Sequence, residues 1–133
     1  MVDIDEIAEA MGVTVIDEPT LRSDVNAMYV DAERVILIQP NLDPWNRRSC
    51  LAHELAHAWF RDERSEPRIE RRANQWAAQL LISPAEYRAA EALVGSSVGA
   101  LAYELEVTPE TIEVWRECFK ARRFDRQAMT LAM

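Results

Sequence analysis

The apolar positions of the first forty residues change from helical to extended spacing. Over residues 3–11 they recur at helical spacing and stop at Gly12, which predicts a short amphipathic helix with a glycine end. Val13–Ile16 is typical of a strand, and the β-rich runs Val25–Val30 and Arg34–Gln39 lie close enough in sequence to form a hairpin. The N-terminal part therefore predicts a helix followed by a small antiparallel sheet.

Helical spacing dominates the middle of the chain. Asp43 is a favourable N-cap and Pro44 a favourable first helical residue, so a helix is predicted from there to about Phe60. A polar loop follows, and a second helix is predicted to begin at Pro67 and to end before Pro84. Both predicted helices have one apolar face, so they are expected to pack together.

The last third of the chain is also predicted to be helical. Helices are expected over Ala85–Leu93, Val98–Glu106 and Pro109–Arg122, and the last two resemble a helix-turn-helix within residues 96–122. The apolar frame of this helix-turn-helix-like segment consists of Leu101, Ala102, Leu105, Val107, Ile112 and Trp115. The tail Arg123–Met133 has no strong pattern and is expected to be partly disordered.

These elements predict an α+β fold in which a small antiparallel sheet packs against a mainly helical domain. With 133 residues and no repeat or low-complexity linker, residues 1–133 are expected to form a single domain. The N-terminal segment does not have the pattern of a secretory signal, and no apolar run approaches the length of a membrane span. Cys50 and Cys118 lack metal-type spacing and are expected to be reduced thiols in a cytoplasmic protein.

The net charge of −8 argues against direct nucleic-acid binding, which needs a basic footprint. The second helix of the helix-turn-helix-like segment has the same defect, because Glu110, Glu113 and Glu117 outnumber Arg116 and Lys120 on it. We expect this segment to have a structural role or to dock a partner protein. A DNA-binding regulator remains an alternative function.

The two histidines of the chain lie four residues apart in His53-Glu54-Leu55-Ala56-His57. Residues at positions i and i+4 of a helix lie about 40° apart on one face, so both imidazoles can bind one metal ion. A zinc hydrolase uses two neutral nitrogen ligands, an open position for water, and a carboxylate that takes the proton of that water. The motif predicts Zn²⁺ as cofactor, His53 and His57 as its ligands, and Glu54 as the catalytic base.

A third protein ligand must be a carboxylate or, less favourably, one of the two cysteines, because no other histidine is present. The candidate carboxylates after the motif are Asp62, Glu63, Glu66 and Glu70. Asp62 and Glu63 follow the motif helix directly, where an immediate turn back to the metal would be strained. Glu70 is better placed, because the small or polar residues Ala73, Asn74 and Ala77 follow it on one helical face and allow a close approach to the motif helix. Asn74 is expected to hydrogen-bond the outer nitrogen of a zinc-bound histidine.

The segment HELAH at residues 53–57, followed by ERRANQWAAQLLISP at residues 70–84, resembles the ImmA/IrrE family of bacterial and phage metallopeptidases. In that family a glutamate, an Ala-Asn pair, an aromatic residue, two alanines, a Leu-Leu pair and a proline follow the H-E-x-x-H helix. The similarity extends over residues 25–84, which would form the metallopeptidase core. Trp76 stands where phenylalanine is common, and Ile82-Ser83 replaces a usual methionine.

The resemblance implies a zincin-like domain with a gluzincin-like site, in which His53, His57 and Glu70 bind zinc and Glu54 is the base. It also implies a metalloendopeptidase that cuts a helix-turn-helix repressor of a phage or mobile element. The alternative is a zinc-binding protein that docks a repressor without cutting it. The strand Val35–Gln39 is a candidate edge for an extended substrate, and Tyr29, Tyr87, Tyr103 or an arginine is a candidate for stabilising the oxyanion. The oligomeric state is left open.

Overall fold

The computed structural model describes residues 1–121 and 126–132 and has an α+β fold, as predicted. Seven helices and three strands are present in these residues. In chain order they are α1 (Ile4–Ala10), β1 (Thr14–Asp17), β2 (Ala27–Val30), β3 (Val35–Ile38), α2 (Pro44–Phe60), α3 (Pro67–Leu81), α4 (Pro84–Val94), α5 (Val98–Leu105), α6 (Pro109–Lys120) and α7 (Arg126–Leu131).

The sheet is mixed, with the strand order β1-β3-β2, so the prediction of an antiparallel sheet was wrong for β1. The predicted hairpin forms, with β2 antiparallel to β3, but β1 pairs with the other side of β3 in parallel. The reason is the loop 18–26, which carries the chain past the position of β3 to the far edge of the sheet. The Gln39 side-chain amide holds this loop by donating to the carbonyl oxygens of Leu21, Arg22 and Val25.

This strand order changes which strand can accept a substrate. β3 is central, and its buried residues Ile36 and Ile38 are fully enclosed. The prediction that Val35–Gln39 offers a free edge was therefore wrong, because both of its edges are paired. β2 is an edge strand, and it lies against α2.

The two central helices begin and end as their sequences predict. The Asp43 side chain accepts a hydrogen bond from the backbone N–H of Asn46, Pro44 is the first residue of α2, and the helix ends at Arg61 in the left-handed conformation. α3 begins at Pro67 and packs against α2, with Ala73 of its small-residue face completely buried. α2 and α3 form the framework that positions the candidate site.

The C-terminal helices extend the same core. The predicted apolar frame of the helix-turn-helix-like segment is buried throughout. α5 and α6 are joined by a short turn, and Arg48 of α2 donates to the carbonyl oxygens of Leu105 and Glu106 there. A DNA-binding role for these helices stays a prediction.

The predicted disorder of the tail was wrong over Arg126–Leu131, which forms α7. Ala128 of this helix is fully buried, and α7 packs against α3. The helix predicted to reach Arg122 ends at Lys120, with Ala121 as its C-cap, and the predictions for residues 122–125 and 133 lie outside the described residues. Among the described residues, every helix is too short or too polar to cross a membrane.

Candidate metal centre

The helix α2 places both imidazoles on one face, and the first turn of α3 brings a carboxylate to them. The Nε2 atoms of His53 and His57 are 3.1 Å apart. The Oε1 atom of Glu70 lies 3.0 Å from the Nε2 atom of His53 and 3.3 Å from that of His57. The structure thus brings together the two predicted histidines and the preferred third ligand, and no other such group of His, Cys, Asp and Glu is found in residues 1–121 and 126–132.

The spacing of these three atoms fits a metal ion. Zinc binds imidazole nitrogen and carboxylate oxygen at about 2.0 Å, and two ligands of a tetrahedral ion at that distance are about 3.3 Å apart. The three observed separations of 3.0, 3.1 and 3.3 Å are close to this value. The three donor atoms are therefore close enough together to bind one metal ion.

The outer nitrogen of each imidazole has its own acceptor. The Nδ1 atom of His53 is 2.7 Å from the Oδ1 atom of Asn74, as the sequence predicted, and the Nδ1 atom of His57 is 2.9 Å from the Oδ2 atom of Asp62. Arg72 donates to the other oxygen of Asp62 at 2.7 Å. When a ring is neutral, its acceptor favours the tautomer with the proton on Nδ1 and the lone pair on Nε2.

With both rings neutral, the arrangement of these three groups favours a cation. Two Nε2 lone pairs and the carboxylate of Glu70 point into one space, and all three are acceptors when the rings are neutral. Acceptors that face each other without a donor repel, and a metal ion converts this repulsion into attraction. Partial burial would raise the pKa of Glu70, but positive charge on the adjacent His57 and His53 in their protonated form, and their hydrogen bonds to the carboxylate, hold that pKa below its usual range. The carboxylate is thus charged and able to bind a metal.

Glu54 lies beside this group but is held by the sheet. Its Oε2 atom accepts a hydrogen bond of 3.0 Å from the backbone N–H of Tyr29 in β2. Burial raises the pKa of the Glu54 carboxyl to about 7, against the opposing effects of His53 and the Tyr29 N–H. A carboxylate with a pKa near neutrality is suited to take up and release a proton.

An open cleft of about 460 Å³ gives access to His53 and Glu54. One face of α2 forms its floor, the residues 24–27 that lead into β2 form one side, and the start of α6 forms another. No tyrosine and no arginine lines this cleft in the part of the chain that the structure describes. Of the oxyanion candidates, Tyr29 donates its hydroxyl to Asp31, Tyr87 stacks on Trp115, and Tyr103 stacks on Trp45.

The remaining candidate ligands lie elsewhere. Asp62 binds the outer nitrogen of His57, Glu66 pairs with Arg64 at 2.8 Å, and Glu63 is exposed. Cys118 is buried near Gln79, and Cys50 lines the cleft one helical turn before Glu54; neither is part of the metal-binding group, and neither forms a disulfide.

Sequence reasoning missed three contacts of the centre. The sequence indicates Asp62 only as a possible ligand, and it gives no signal for Arg72 or for the backbone N–H of Tyr29. The signal for Asp62 was its position one residue after the helix end. Arg61 adopts the left-handed conformation with φ of 56°, which turns the chain so that Asp62 reaches back to the Nδ1 atom rather than the metal side of His57.

Comparison with known proteins agrees with this geometry. The family described as Peptidase_M78, IrrE N-terminal-like domain, matches the chain over residues 8–114. A search of curated protein sequences finds no match. A solved structure of a Mycobacterium tuberculosis transcriptional regulator has a similar fold, with a TM-score of 0.61 and 22% sequence identity. The similarity covers 84% of this chain but only 40% of that protein.

Proposed function

The chain belongs to the Peptidase_M78 family of IrrE N-terminal-like domains, and from this premise we propose that it is a zinc-dependent metalloendopeptidase. The observation that carries the proposal is the convergence of three acceptors, from His53, His57 and Glu70, next to the carboxylate of Glu54. Two imidazoles, one carboxylate and an open position form the ligand set of many zinc peptidases. When bound there, zinc supplies Lewis-acid activation of water and of the substrate carbonyl.

Glu54 would move the proton. Its carboxylate would accept a proton from the attacking water and then deliver it to the nitrogen of the leaving amine. The hydrogen bond from the Tyr29 N–H to Oε2 fixes one oxygen, so the other is available for this transfer. The raised pKa of Glu54 supports both steps near neutral pH, because the group must gain and lose the same proton.

The substrate backbone would bind along the outer edge of β2. In the hairpin the N–H of Gln39 pairs with the carbonyl of Asn26, so by alternation the peptide groups of Ala27 and Tyr29 point away from β3. Glu54 takes the N–H of Tyr29, and Ala27 lines the cleft. An extended polypeptide paired with this edge would lie across the metal centre.

The proposed substrate is a helix-turn-helix repressor of a phage or mobile element, in the cytoplasm. The resemblance to the ImmA/IrrE family supports this substrate class, and the name of the mycobacterial structure is in keeping with a role in transcription. The contacts of an arginine on α6 argue against the rival DNA-binding function. Arg116 donates its Nε to the Tyr87 hydroxyl and an Nη to the carbonyl of Ser96, so this cation is already engaged within the protein.

The test compares the wild type with Glu54→Gln and with Glu63→Gln, a control that removes an exposed carboxylate nearby. Each protein is loaded with zinc, its zinc content is measured by elemental analysis, and it is incubated with helix-turn-helix repressors encoded near its gene. We expect about one zinc per chain in all three proteins and cleavage by the wild type and the control. Glu54→Gln should lose about 10²- to 10⁴-fold in rate. Full cleavage by Glu54→Gln, or no cleavage by zinc-loaded wild type, would contradict the peptidase function.

A further inference from the structure

The cleft above the metal centre lies beside a second open space. It follows one face of α2 from His53 back to Asn46, and there it joins an open groove of about 520 Å³. Asn46, Thr108 and Glu110 line both spaces, so the groove is directly adjacent to the cleft.

Two aromatic rings form the wall of this groove. Trp45 from the first turn of α2 and Tyr103 from α5 stack with their ring centroids 5.9 Å apart. Tyr103 is 73% exposed, so most of its surface is open to solvent although its ring stacks on Trp45. The two rings, whose planes are inclined by 27°, therefore present aromatic surface to the groove.

The groove is fixed in place relative to the metal centre. The Ser49 hydroxyl of α2 accepts from the backbone N–H of Thr108 at the turn between α5 and α6. Arg48 holds the same turn through two carbonyl oxygens. The distance between the aromatic pair and the reacting bond is thus set by α2, which is a rigid element.

The acidic and basic side chains that line the cleft and the groove differ in number, with carboxylates present and lysine and arginine absent from the described lining. No lysine or arginine lines the cleft or the groove within the residues the structure describes, whereas Asp24, Glu54 and Glu110 do. Asp24 pairs with Arg22 at 2.7 Å, and Glu54 accepts from Tyr29. Glu110 makes no ion pair with any described residue, so it is the carboxylate that remains for a ligand.

We propose that Trp45, Tyr103 and Glu110 form a subsite for an arginine side chain of the polypeptide substrate. A guanidinium group stacks on aromatic faces while its N–H groups remain free for a carboxylate, and its aliphatic stem fits an apolar groove. This inference rests on the proposed function and names the substrate chemistry that the site selects. Proteins that bind DNA carry such side chains, because phosphate contacts require them.

The geometry also sets where this arginine lies in the substrate. Trp45 and His53 are separated by about 12 Å along α2, at 1.5 Å per residue. An extended chain covers about 3.3 Å per residue, so the arginine lies about three to four residues from the cleaved bond. Glu110 also favours the start of α6 through the helix dipole. Glu110→Gln removes this charge but keeps the shape of the side chain and its hydrogen-bonding carbonyl.

The first experiment measures binding without cleavage. Zinc-loaded Glu54→Gln protein is titrated with two blocked nonapeptides of alanine and serine that differ only in one central residue, arginine or glutamate. We expect the arginine peptide to shift the indole N–H resonance of Trp45 in ¹⁵N-resolved spectra, and the glutamate peptide to bind more weakly. Adding Glu110→Gln or Tyr103→Ala should weaken arginine-peptide binding about two- to fivefold. Adding Glu113→Gln, an exposed change on the same helix outside both spaces, should leave it unchanged.

The second experiment maps cleavage by the zinc-loaded wild type in a library of proteome-derived peptides by mass spectrometry. Enrichment of arginine three to four residues from the cleaved bond, lost in Glu110→Gln, would support the subsite. Equal binding of the two peptides, no binding, or cleavage without this enrichment would overturn it and leave the peptidase function standing. Arginine-selective binding without any cleavage would support the subsite and contradict the peptidase function.

Discussion

At the metal centre α2 and α3 meet through polar side chains, whereas α5 and α6 meet through a buried apolar frame. His53, His57 and Glu70 are all acceptors in the neutral-ring state and repel one another without a cation. Leu101 and Ile112 of the helix pair are completely buried and need no further partner. The comparison teaches that one region depends on a ligand and the other on packing, so the two should respond to different changes.

The largest expected effect is on metal binding in Glu70→Ala. Loss of a hydrogen-bond partner behind a ligand already costs about 10- to 100-fold in metal affinity, and loss of the ligand itself should cost at least about 100-fold. Competition with a zinc-binding chelator measures this affinity. Glu63→Ala, which removes an exposed carboxylate that the sequence also offered as a ligand, should bind zinc as the wild type does. Equal zinc affinity in the two variants would show that Glu70 is not a metal ligand.

The helix pair should respond in the opposite way. Ile112→Ala removes a fully buried side chain and should lower the free energy of unfolding by about 2–5 kcal/mol, measured by urea denaturation of the metal-free protein. The zinc affinity of the folded fraction should not change, because Ile112 lies on α6 and no ligand does. A large loss of zinc affinity in Ile112→Ala would show that packing and metal binding are coupled, which would break the comparison.

A smaller effect on zinc affinity is expected from the residues that contact the outer nitrogens of the two histidines. Asp62→Ala leaves the Nδ1 atom of His57 without its acceptor and should weaken zinc binding about 10- to 100-fold. Asn74→Ala should weaken it less, because a neutral amide stabilises the Nδ1–H of His53 less than a buried carboxylate stabilises that of His57. Chelator competition on both variants tests this order. A larger loss in Asn74→Ala would mean that the more exposed histidine controls the affinity.

The sequence predicted the parts of the molecule that local spacing determines. The two histidines, Glu54 and Glu70 lie where helical periodicity puts them, because α2 and α3 have clear start signals at Asp43 and Pro67. The strand order could not be predicted this way. Alternation indicates which residues form a strand, but the position of β1 beside β3 depends on a loop that Gln39 fixes from a distance of 14 to 18 residues.

Long-range contacts explain the other errors as well. From its position in the sequence, β3 is the predicted edge for the substrate. Pairing on both of its sides excludes this, and the edge strand that lies against α2 is β2. The outer contact of Asp62 depends on the backbone of Arg61, and nothing in that arginine predicts a left-handed conformation. α7 forms because Ala128 is buried against the helical core, although the short segment lacks a strong helical pattern of its own.

The smallest expected effect concerns a helix start in the packing-dependent region. The Ser83 hydroxyl accepts from the backbone N–H of Glu86, and the Glu86 side chain accepts from the N–H of Ser83, which together form a capping box at the start of α4. Ser83→Ala leaves one N–H of the first turn without its acceptor and should lower the free energy of unfolding by about 1 kcal/mol. Urea denaturation of the metal-free protein measures this loss, and chelator competition should show unchanged zinc affinity. Glycine is a better N-cap residue than alanine, so Ser83→Gly should lose less than Ser83→Ala. If Ser83→Ala weakened zinc binding and left the free energy of unfolding unchanged, the start of α4 would contribute to the metal centre rather than to packing.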